Sequence, residues 1–271
     1  MTITAPNENQ RQTTRRFSVL RISIRTVLIF QAVACVWLAF VTNAARSQKL
    51  AVDRIKELGG EVAFHYQLDS MMNWRTTPKP PLPAWLIDLI GEDYLRRISV
   101  VNLDDRSDPQ NDDLRVFTRT ADLRQLTLCN RKRITDDGLA HLAQLSRLEV
   151  LALDGTNIQG NGLQHIVNMK RLKGLALHNT PLTDDGMQYI GKLDGLEWLV
   201  LNNTNITDDG LLAIESLNCL ESLQIRETAI TDDGLKVLSK MKSLKSVLLG
   251  DKVSRKGESW LKKQLPQCKV N

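Results

Sequence analysis

Pairs of aspartates that recur along the second half of the chain are the residues whose type and spacing come closest to a chemical site. Each pair precedes a glycine, and the pairs are Asp136–Asp137, Asp184–Asp185, Asp208–Asp209 and Asp232–Asp233. Carboxylates are preferred calcium ligands, but the intervals between these acids do not match the loop of an EF-hand. Each pair comes where a helix is predicted to start, and acids there interact favourably with the helix dipole. We therefore expect no metal site at these residues.

Other motifs that carry catalysis are missing from the sequence. It contains no glycine-rich phosphate loop and no HExxH, CxxC or GxSxG motif. His141 and His165 lack the third ligand that a zinc site would need. Cys129, Cys219 and Cys268 fall too far apart in the predicted stack to pair, since a disulfide needs Cα atoms within about 7 Å. The sequence thus predicts a protein that is not an enzyme and has no cofactor.

The aspartate pairs belong to an internal repeat of 24 residues. Its helix-start motif, ITDDGL or a variant, begins at Ile134, Ile158, Leu182, Ile206 and Ile230. An LxxLxL frame recurs in step with it from Leu148, Leu172, Leu196, Leu220 and Leu244, after earlier copies from Ile98 and Leu123. Alternate residues of each frame point inward from a short strand, and stacked strands pair into a parallel sheet. The pattern predicts one strand per unit.

Each unit also predicts a short helix and a turn. A threonine precedes each aspartate pair at the position of a helix N-cap; these are Thr135, Thr183, Thr207 and Thr231. Leu139, Leu142 and Leu145 predict the inward stripe of a convex helix. Threonines recur at the strand exits and are predicted to bond turn backbones; they are Thr156, Thr180, Thr204 and Thr228. Each unit buries its leucines only against its neighbours, so stability is a property of the stack.

The repeat, written LxxLxLxxTxITDxGL, resembles leucine-rich-repeat proteins of the ribonuclease-inhibitor-like and cysteine-containing subclasses. The resemblance covers residues 98–271 and implies an α/β solenoid, with a parallel sheet on the concave face and short helices on the convex face. Threonine stands where many such families place an asparagine ladder, and no F-box precedes the repeats. The resemblance therefore implies a protein-binding scaffold without catalysis, and it implies no role in a ubiquitin ligase.

The concave face is where we expect a partner to bind, because the side chains between the buried leucines point there. The candidate binding residues are Trp198, Val200, Val150, His178, Asn202, Arg226, Gln224 and Asp154. An exposed tryptophan among apolar residues with a polar rim has the anatomy of a binding hot spot. Alternatively, the Trp198 ring lies flat over the neighbouring alanines, and the sequence favours neither interpretation.

Residues 26–45 form a run of twenty residues without a charge, between Arg25 and Arg46. A helix of this length spans ~30 Å, the thickness of the hydrocarbon core of a bilayer. The run is longer than the apolar part of most cleaved signal peptides, which favours an uncleaved signal anchor over a secreted domain. Five upstream arginines place the N-terminus in the cytoplasm. We expect a single-pass protein of the cytoplasmic membrane with its repeats outside the cytoplasm.

The excess of basic residues lies in the N-terminal tail. Residues 1–25 carry a net charge of +4 out of the total of +5, which leaves residues 26–271 at +1. A nucleic-acid-binding domain normally carries a basic stripe on the fold itself, so nucleic acid is not an expected partner. The predicted organisation is a basic tail over 1–25, a transmembrane helix over 26–45, a juxtamembrane and capping region over 46–97, and the repeat domain with its C-terminal cap over 98–271.

The segments around the repeats are predicted to cap them, as such arrays require. An amphipathic helix with Val52, Ile55 and Leu58 on one face ends at Gly59–Gly60, and a strand follows over 61–68. The prolines over 78–83 favour a rigid turn over a PxxP ligand, with Trp85 in the core of the cap. A last helix is predicted to begin at Trp260 and end at Pro266, with Cys268 in the buried frame.

Together these patterns predict a membrane-anchored, noncatalytic protein that binds another protein through its concave sheet and a lipid bilayer through residues 26–45. One alternative is a self-associating structural scaffold of the envelope. The others are a cytoplasm-facing adaptor and a secreted binding module, which differ from the main prediction in topology and anchoring.

Overall fold

The computed structural model describes residues 24–67, 83, 85, 87, 97–103, 108–120 and 122–271. The chain divides into two compact units, Met1–Thr42 and Asn43–Asn271. Most of the proline segment over 78–83 lies outside the described residues.

The first element is a long helix, α1 (Ile24–Glu57). Its most apolar 18-residue window has a mean hydropathy of 2.1, and α1 is long and apolar enough, by length and composition, to cross a membrane. The apolar run that the sequence predicted to span a membrane and the amphipathic helix predicted after it belong to this one helix. Ala51, Val52 and Ile55 are buried near its end, as predicted for the last two. The helix stops before Gly59, whose φ of 70° is a conformation that glycine adopts readily.

The strands form one nine-stranded sheet in chain order. They are β1 (Gly60–Phe64), β2 (Ile98–Leu103), β3 (Gln125–Thr127), β4 (Val150–Ala152), β5 (Gly174–Ala176), β6 (Trp198–Val200), β7 (Ser222–Gln224), β8 (Ser246–Leu248) and β9 (Lys269–Val270). Strand β1 pairs antiparallel with β2, and all later pairs are parallel. The parallel sheet predicted from the leucine frame is confirmed.

Most of the core is one continuous column of mainly aliphatic side chains, with Phe64 and Phe117 near its N-terminal end. Leu151, Leu175, Leu199 and Leu223 pair in register across four strands and are fully buried. Because each leucine contacts its equivalents in the coils on either side, the hydrophobic stabilisation is shared along the stack.

Short helices close each coil on the other face. Three are α-helices, α2 (Asp184–Ile190), α3 (Asp208–Leu212) and α4 (Leu235–Leu238), whereas Asn111–Arg119, Asp136–Leu142 and Asn161–His165 are 3-10 helices. Leu139, Leu142 and Leu145 are buried, which confirms the predicted inward stripe.

The strand-exit threonines hold the turns, as predicted. In four coils the buried hydroxyl donates to the carbonyl three residues earlier, at 2.6–2.8 Å. Arg131 occupies the equivalent position in the third coil, where it is only 2% exposed. Its Nη2 donates to the Leu103 carbonyl at 2.8 Å, which links two neighbouring coils.

The aspartate pairs do more than interact with their own helices, and their first members bond the next coil. Asp184 accepts the Thr207 amide at 2.8 Å and its hydroxyl at 2.7 Å. Asp208 and Asp232 do the same one and two coils later, to Thr231 and to Ser254. Because Ser254 donates from both its hydroxyl and its amide, the pKa of Asp232 is lowered.

Three of the predicted N-cap threonines, Thr135, Thr183 and Thr207, directly precede their helices, whereas Thr231 precedes a turn and Gly234 is the N-cap of α4. Thr207 and Thr231 each accept the amide two residues later at 3.3 Å. The side chains of Thr135 and Thr183 make no such bond. Thr135 instead accepts from the Asn111 side chain at 2.8 Å, because the acceptor oxygen faces the preceding coil.

Two predictions about the caps are wrong. Trp85 is 66% exposed rather than part of a core; Ile87, two residues later, is the side chain that this segment buries. The last helix, α5 (Arg255–Gln264), begins five residues before Trp260, because Ser254 caps it by accepting the Gly257 amide at 3.0 Å. The buried position of Cys268 is confirmed. The strand predicted over 61–68 is confirmed only as far as Phe64, because His65–Gln67 form a 3-10 helix.

Candidate binding surface on the concave face

The structure places the predicted concave residues in the expected rows. Val150, Gly174, Trp198 and Ser222 pair across four neighbouring strands, and the next row is Ala152, Ala176, Val200 and Gln224. These strands present their middle leucines to the core and their flanking residues to the opposite face. The rows meet as an apolar strip over β4–β6 that is bordered by polar residues on β3 and β7. We call the strip formed by Val150, Ala152, Ala176, Trp198 and Val200 the concave strip.

The Trp198 ring lies over Gly174 of the neighbouring strand β5. A Cβ atom built on Gly174 would lie 2.0 Å from both Cε2 and Cζ2 of the indole, so the ring covers that glycine. Trp198 is therefore half-buried rather than fully exposed. Only a glycine at this position of β5 leaves room for the ring in this orientation, and the ring stays partly exposed.

The polar rim at the strand exits is partly used by the fold. Asp154 accepts the His178 amide at 2.7 Å, and Asn202 accepts the Arg226 amide at 2.8 Å. The Asn202 amide group also donates to Gln224 at 3.0 Å. These bonds assign a structural role to Asp154 and Asn202, two of the predicted binding residues.

His178 and Arg226 remain available for contact. Both side chains are exposed, and His178 Nδ1 lies 3.1 Å from the Asn202 carbonyl oxygen. The Arg226 guanidinium makes no ion pair with any acid among the residues that the structure describes. The Arg226 guanidinium is thus an exposed cation at the edge of the concave strip, where a partner could pair with it.

The opposite rim, at the strand entries, was missed by the sequence analysis. It consists of ion pairs between neighbouring coils: Arg124–Glu149 at 3.5 Å, Lys173–Glu197 at 2.7 Å and Lys245–Glu221 at 2.7 Å. The bond to Glu197 raises the pKa of Lys173. Opposite charges 24 or 25 residues apart at the residue before each strand are the signal that would have revealed these pairs.

The turn after the strand exits repeats a left-handed backbone conformation. Its φ values are 61° at Asn130, 66° at Gly155, 55° at Asn179, 54° at Asn203 and 53° at Glu227. Asparagine and glycine tolerate this conformation, whereas glutamate does so less readily. In addition, the Asn203 amide donates to the Asn179 side chain at 2.9 Å, a bond that an asparagine at 227 could extend.

Replacing Glu227 by asparagine should therefore stabilise the array, by about 0.5–1 kcal/mol. The measurement is the urea midpoint of the full-length protein in mild detergent. The matched control is Glu227→Gln, which removes the same charge without the preference for a left-handed backbone. An equal gain in both variants would assign the effect to charge and contradict the prediction.

Cys129 precedes Asp154 in the same row, and its thiol donates to that carboxylate at 3.5 Å. Burial, followed by the negative charge of Asp154, raises the pKa of the thiol to about 11. A thiol held in its neutral form is a poor nucleophile. Cys129 is thus a packing residue.

We expect iodoacetamide at pH 8 to alkylate the exposed Cys219 while leaving Cys129 unmodified until urea unfolds the array. Because the folded protein favours the thiol, stability should fall as pH rises from about 9 towards 11. Peptide mass spectrometry after a timed pulse measures both sites. Labelling of Cys129 at the rate of Cys219 in the folded protein would show that the Asp154 contact does not form.

Three comparisons place this geometry among known proteins. A family model described as Leucine Rich repeat matches residues 216–239. A search of curated proteins gave no match.

Among solved structures, an internalin (inlF) of Listeria monocytogenes is similar at 18% identity and a TM-score of 0.49, over 64% of this chain and 56% of the internalin. Internalin C2 of the same organism is similar at 15% identity and a TM-score of 0.48, over 64% of this chain and 81% of that one. The plant peptide hormone receptor RGFR1, solved in complex with RGF2, is similar at 18% identity and a TM-score of 0.42, over 58% of this chain and 25% of the receptor. The chain spans about half the length of the first internalin.

The matched residues run from the loop before β7 through α4. The coils on either side share the same buried strand frame in register. Residues 216–239 are therefore a leucine-rich repeat, within a stack of coils built in the same way.

Proposed function

We propose that this chain is a noncatalytic binding protein that recognises another protein through its concave strip. The observation that carries the proposal is the Trp198 ring, which lies over Gly174 in the middle of the strip. A ring that already packs against the sheet before a partner covers it has less freedom to lose on binding. Repeat arrays commonly use such extended concave surfaces for binding.

The rim supports the same proposal. Arg226 and His178 border the apolar residues and are exposed. An apolar centre with a polar edge is the arrangement found in specific protein interfaces. The charged residues at the strand entries pair with one another, whereas Arg226 at the strand exits has no ion pair among the described residues.

A crosslinking experiment in the source cells tests this surface directly, because it does not require the partner to be identified first. A photoreactive amino acid at Ser222, beside the strip, should capture a protein, whereas the same group at Gln188, exposed on the convex side, should not. Adducts of equal yield at both positions would contradict a concave site. An adduct made only of this chain would favour the self-associating scaffold.

Trp198→Ala should reduce the crosslinked yield at Ser222 at least about tenfold, in the range of interface hot spots. Leu212→Ala is the matched control, because it truncates an exposed apolar residue on the convex side. Both variants must show unchanged circular dichroism. A Trp198→Ala protein that folds and still captures its partner fully would remove the hot spot from this proposal.

We further propose that α1 anchors the protein in the cytoplasmic membrane, with the repeats outside the cytoplasm. The apolar part of the helix is exposed, and it follows an arginine-rich tail. Protease treatment of intact spheroplasts should remove a C-terminal tag from protein in the membrane fraction. Protection of the tag would reverse the topology and favour a cytoplasmic adaptor, and recovery of a shortened soluble protein would show a cleaved signal.

A further inference from the structure

The near-neutral charge of residues 26–271 conceals two oppositely charged blocks. Residues 150–235 contain five basic and twelve acidic side chains, a net charge of −7. Residues 236–271 contain ten basic and two acidic side chains, a net charge of +8. The fold therefore does carry a basic region of its own, contrary to the expectation drawn from the total charge.

Fewer than half of these ten cations are neutralised by acids. Lys236, Lys240, Lys245 and Lys262 each pair with a carboxylate within 3.0 Å. The other six are exposed and make no ion pair among the described residues; they are Lys242, Lys252, Arg255, Lys256, Lys263 and Lys269. Lys242 donates to two backbone carbonyls, those of Ser239 and Gln264. The last coil thus exposes a surface with a strong positive potential.

Helix α5 gives this surface an apolar centre. Gly257 and Leu261 are buried against the array. Lys256, Trp260 and Lys263 are spaced i, i+4 and i+7, which puts them on one face of the helix, away from the buried pair. The Trp260 side chain is 38% exposed between the two lysines. A tryptophan flanked by lysines on an amphipathic helix is typical of helices that lie at a membrane interface.

This surface lies at the end of the sheet opposite to the one that receives α1. A Cβ atom built on Gly60, the first residue of β1, would meet Ile55 of α1 and Leu103 of β2 within 2.8 Å, so the end of α1 lies against these two strands. Eight strand spacings of ~4.8 Å separate β1 from β9, a path of roughly 40 Å. The acidic block of residues 150–235 lies between the two ends and would be repelled by an anionic surface. An anionic surface would therefore meet the last coil first.

We propose that the face of α5 formed by Lys256, Trp260 and Lys263, with the cations around it, binds an anionic phospholipid surface. The cations would contact headgroup phosphates, each adding to the attraction near a charged surface. The indole would enter the interfacial layer beside them. Lipid is favoured over nucleic acid because the face is a convex helix with a single aromatic ring, whereas single-strand binders present grooves with several stacking rings.

The test uses the full-length chain held in nanodiscs of neutral phosphatidylcholine. Anionic phosphatidylglycerol is then supplied either within the disc or as added vesicles, and hydrogen exchange is followed in peptides covering α5. We expect exchange in α5 to slow at least about fivefold with anionic lipid by one of these routes, and not with neutral vesicles. The protection should weaken at high salt, since screening shortens the range of the attraction.

The variant Lys256→Glu/Lys263→Glu should lose this protection. Its matched control is Lys132→Glu/Lys170→Glu, which makes the same change in net charge at exposed lysines elsewhere on the array. Equal loss in both variants would mean attraction by overall charge and would overturn the site. Protection by a DNA duplex but by neither form of lipid would overturn it in favour of nucleic acid, and protection by none would overturn it outright. Because the concave strip is intact in both variants, capture of a protein at Ser222 reports separately on the proposed function.

Discussion

Replacing Gly210 by alanine should lower the free energy of unfolding by about 2–4 kcal/mol, through overpacking and disrupted charged hydrogen bonds. Helix propensity alone predicts the opposite, a gain of up to about 1 kcal/mol, because Gly210 lies within α3. The sign is decided by the neighbouring coil. A Cβ atom on Gly210 would lie 2.3 Å from Oδ1 of Asp184, the oxygen that accepts the Thr207 amide. The alanine would therefore push away the carboxylate that joins the two coils.

Urea unfolding of the full-length protein in mild detergent measures this effect. Gly195→Ala is the control, because a Cβ there would lie 3.3 Å from the Lys170 carbonyl oxygen, a much milder contact than the 2.3 Å at Gly210. The double variant Gly210→Ala/Asp184→Ala should lose less free energy of unfolding than the two single variants lose together, since each single change already removes the same contact. A stabilised Gly210→Ala protein, or strictly additive costs, would show that this contact contributes nothing.

The aspartate–glycine contact shows which part of the fold the sequence could predict. The 24-residue period predicted the strands, the buried leucines and the parallel register, since these depend on hydrophobic spacing within one coil. It also located the aspartates at helix starts. Asp184, Asp208 and Asp232 bond residues 22 or 23 positions later, and the space for each carboxylate is left by a glycine 25 or 26 residues later. Spacing within one unit does not reveal a contact between units.

The candidate site was predictable to the same extent. Alternation along the strands put Trp198 on the concave face correctly, but the orientation of its ring depends on the side chain on the neighbouring strand. That neighbour is Gly174, and the absence of a Cβ atom lets the indole lie over this glycine. The roles of Asp154 and Asn202 were hidden for a related reason, because their partners are backbone amides of the next coil. Residue type indicated a polar rim but not which groups the fold already uses.

The total charge illustrates a different limit. A sum over residues 26–271 cancels an acidic block against a basic one, although the two occupy different coils. Charge at a surface acts over about 8–10 Å at physiological ionic strength. The net charge that a partner meets is therefore that of one or two neighbouring coils and not that of the whole domain.

Arg131→Thr should be as damaging as the change at Gly210, at about 2–4 kcal/mol, although it restores the residue found at this position in four other coils. In those coils the threonine hydroxyl bonds its own turn. Here the long side chain is buried, and its Nη2 donates to the Leu103 carbonyl of the preceding coil. Threonine is too short to reach that carbonyl, and it would leave a cavity where the arginine stem packs.

The measurement is again the urea midpoint, with Arg133→Thr as the control at an exposed arginine two residues away. Loss of the bond to β2 should also loosen the N-terminal end first, because repeat arrays transmit stability only between neighbouring coils. Hydrogen exchange should therefore rise in β2 and β3 of the Arg131→Thr variant while β7 and β8 stay protected. A uniform rise along the sheet, or no change in the midpoint, would show that Arg131 does not hold the second and third coils together.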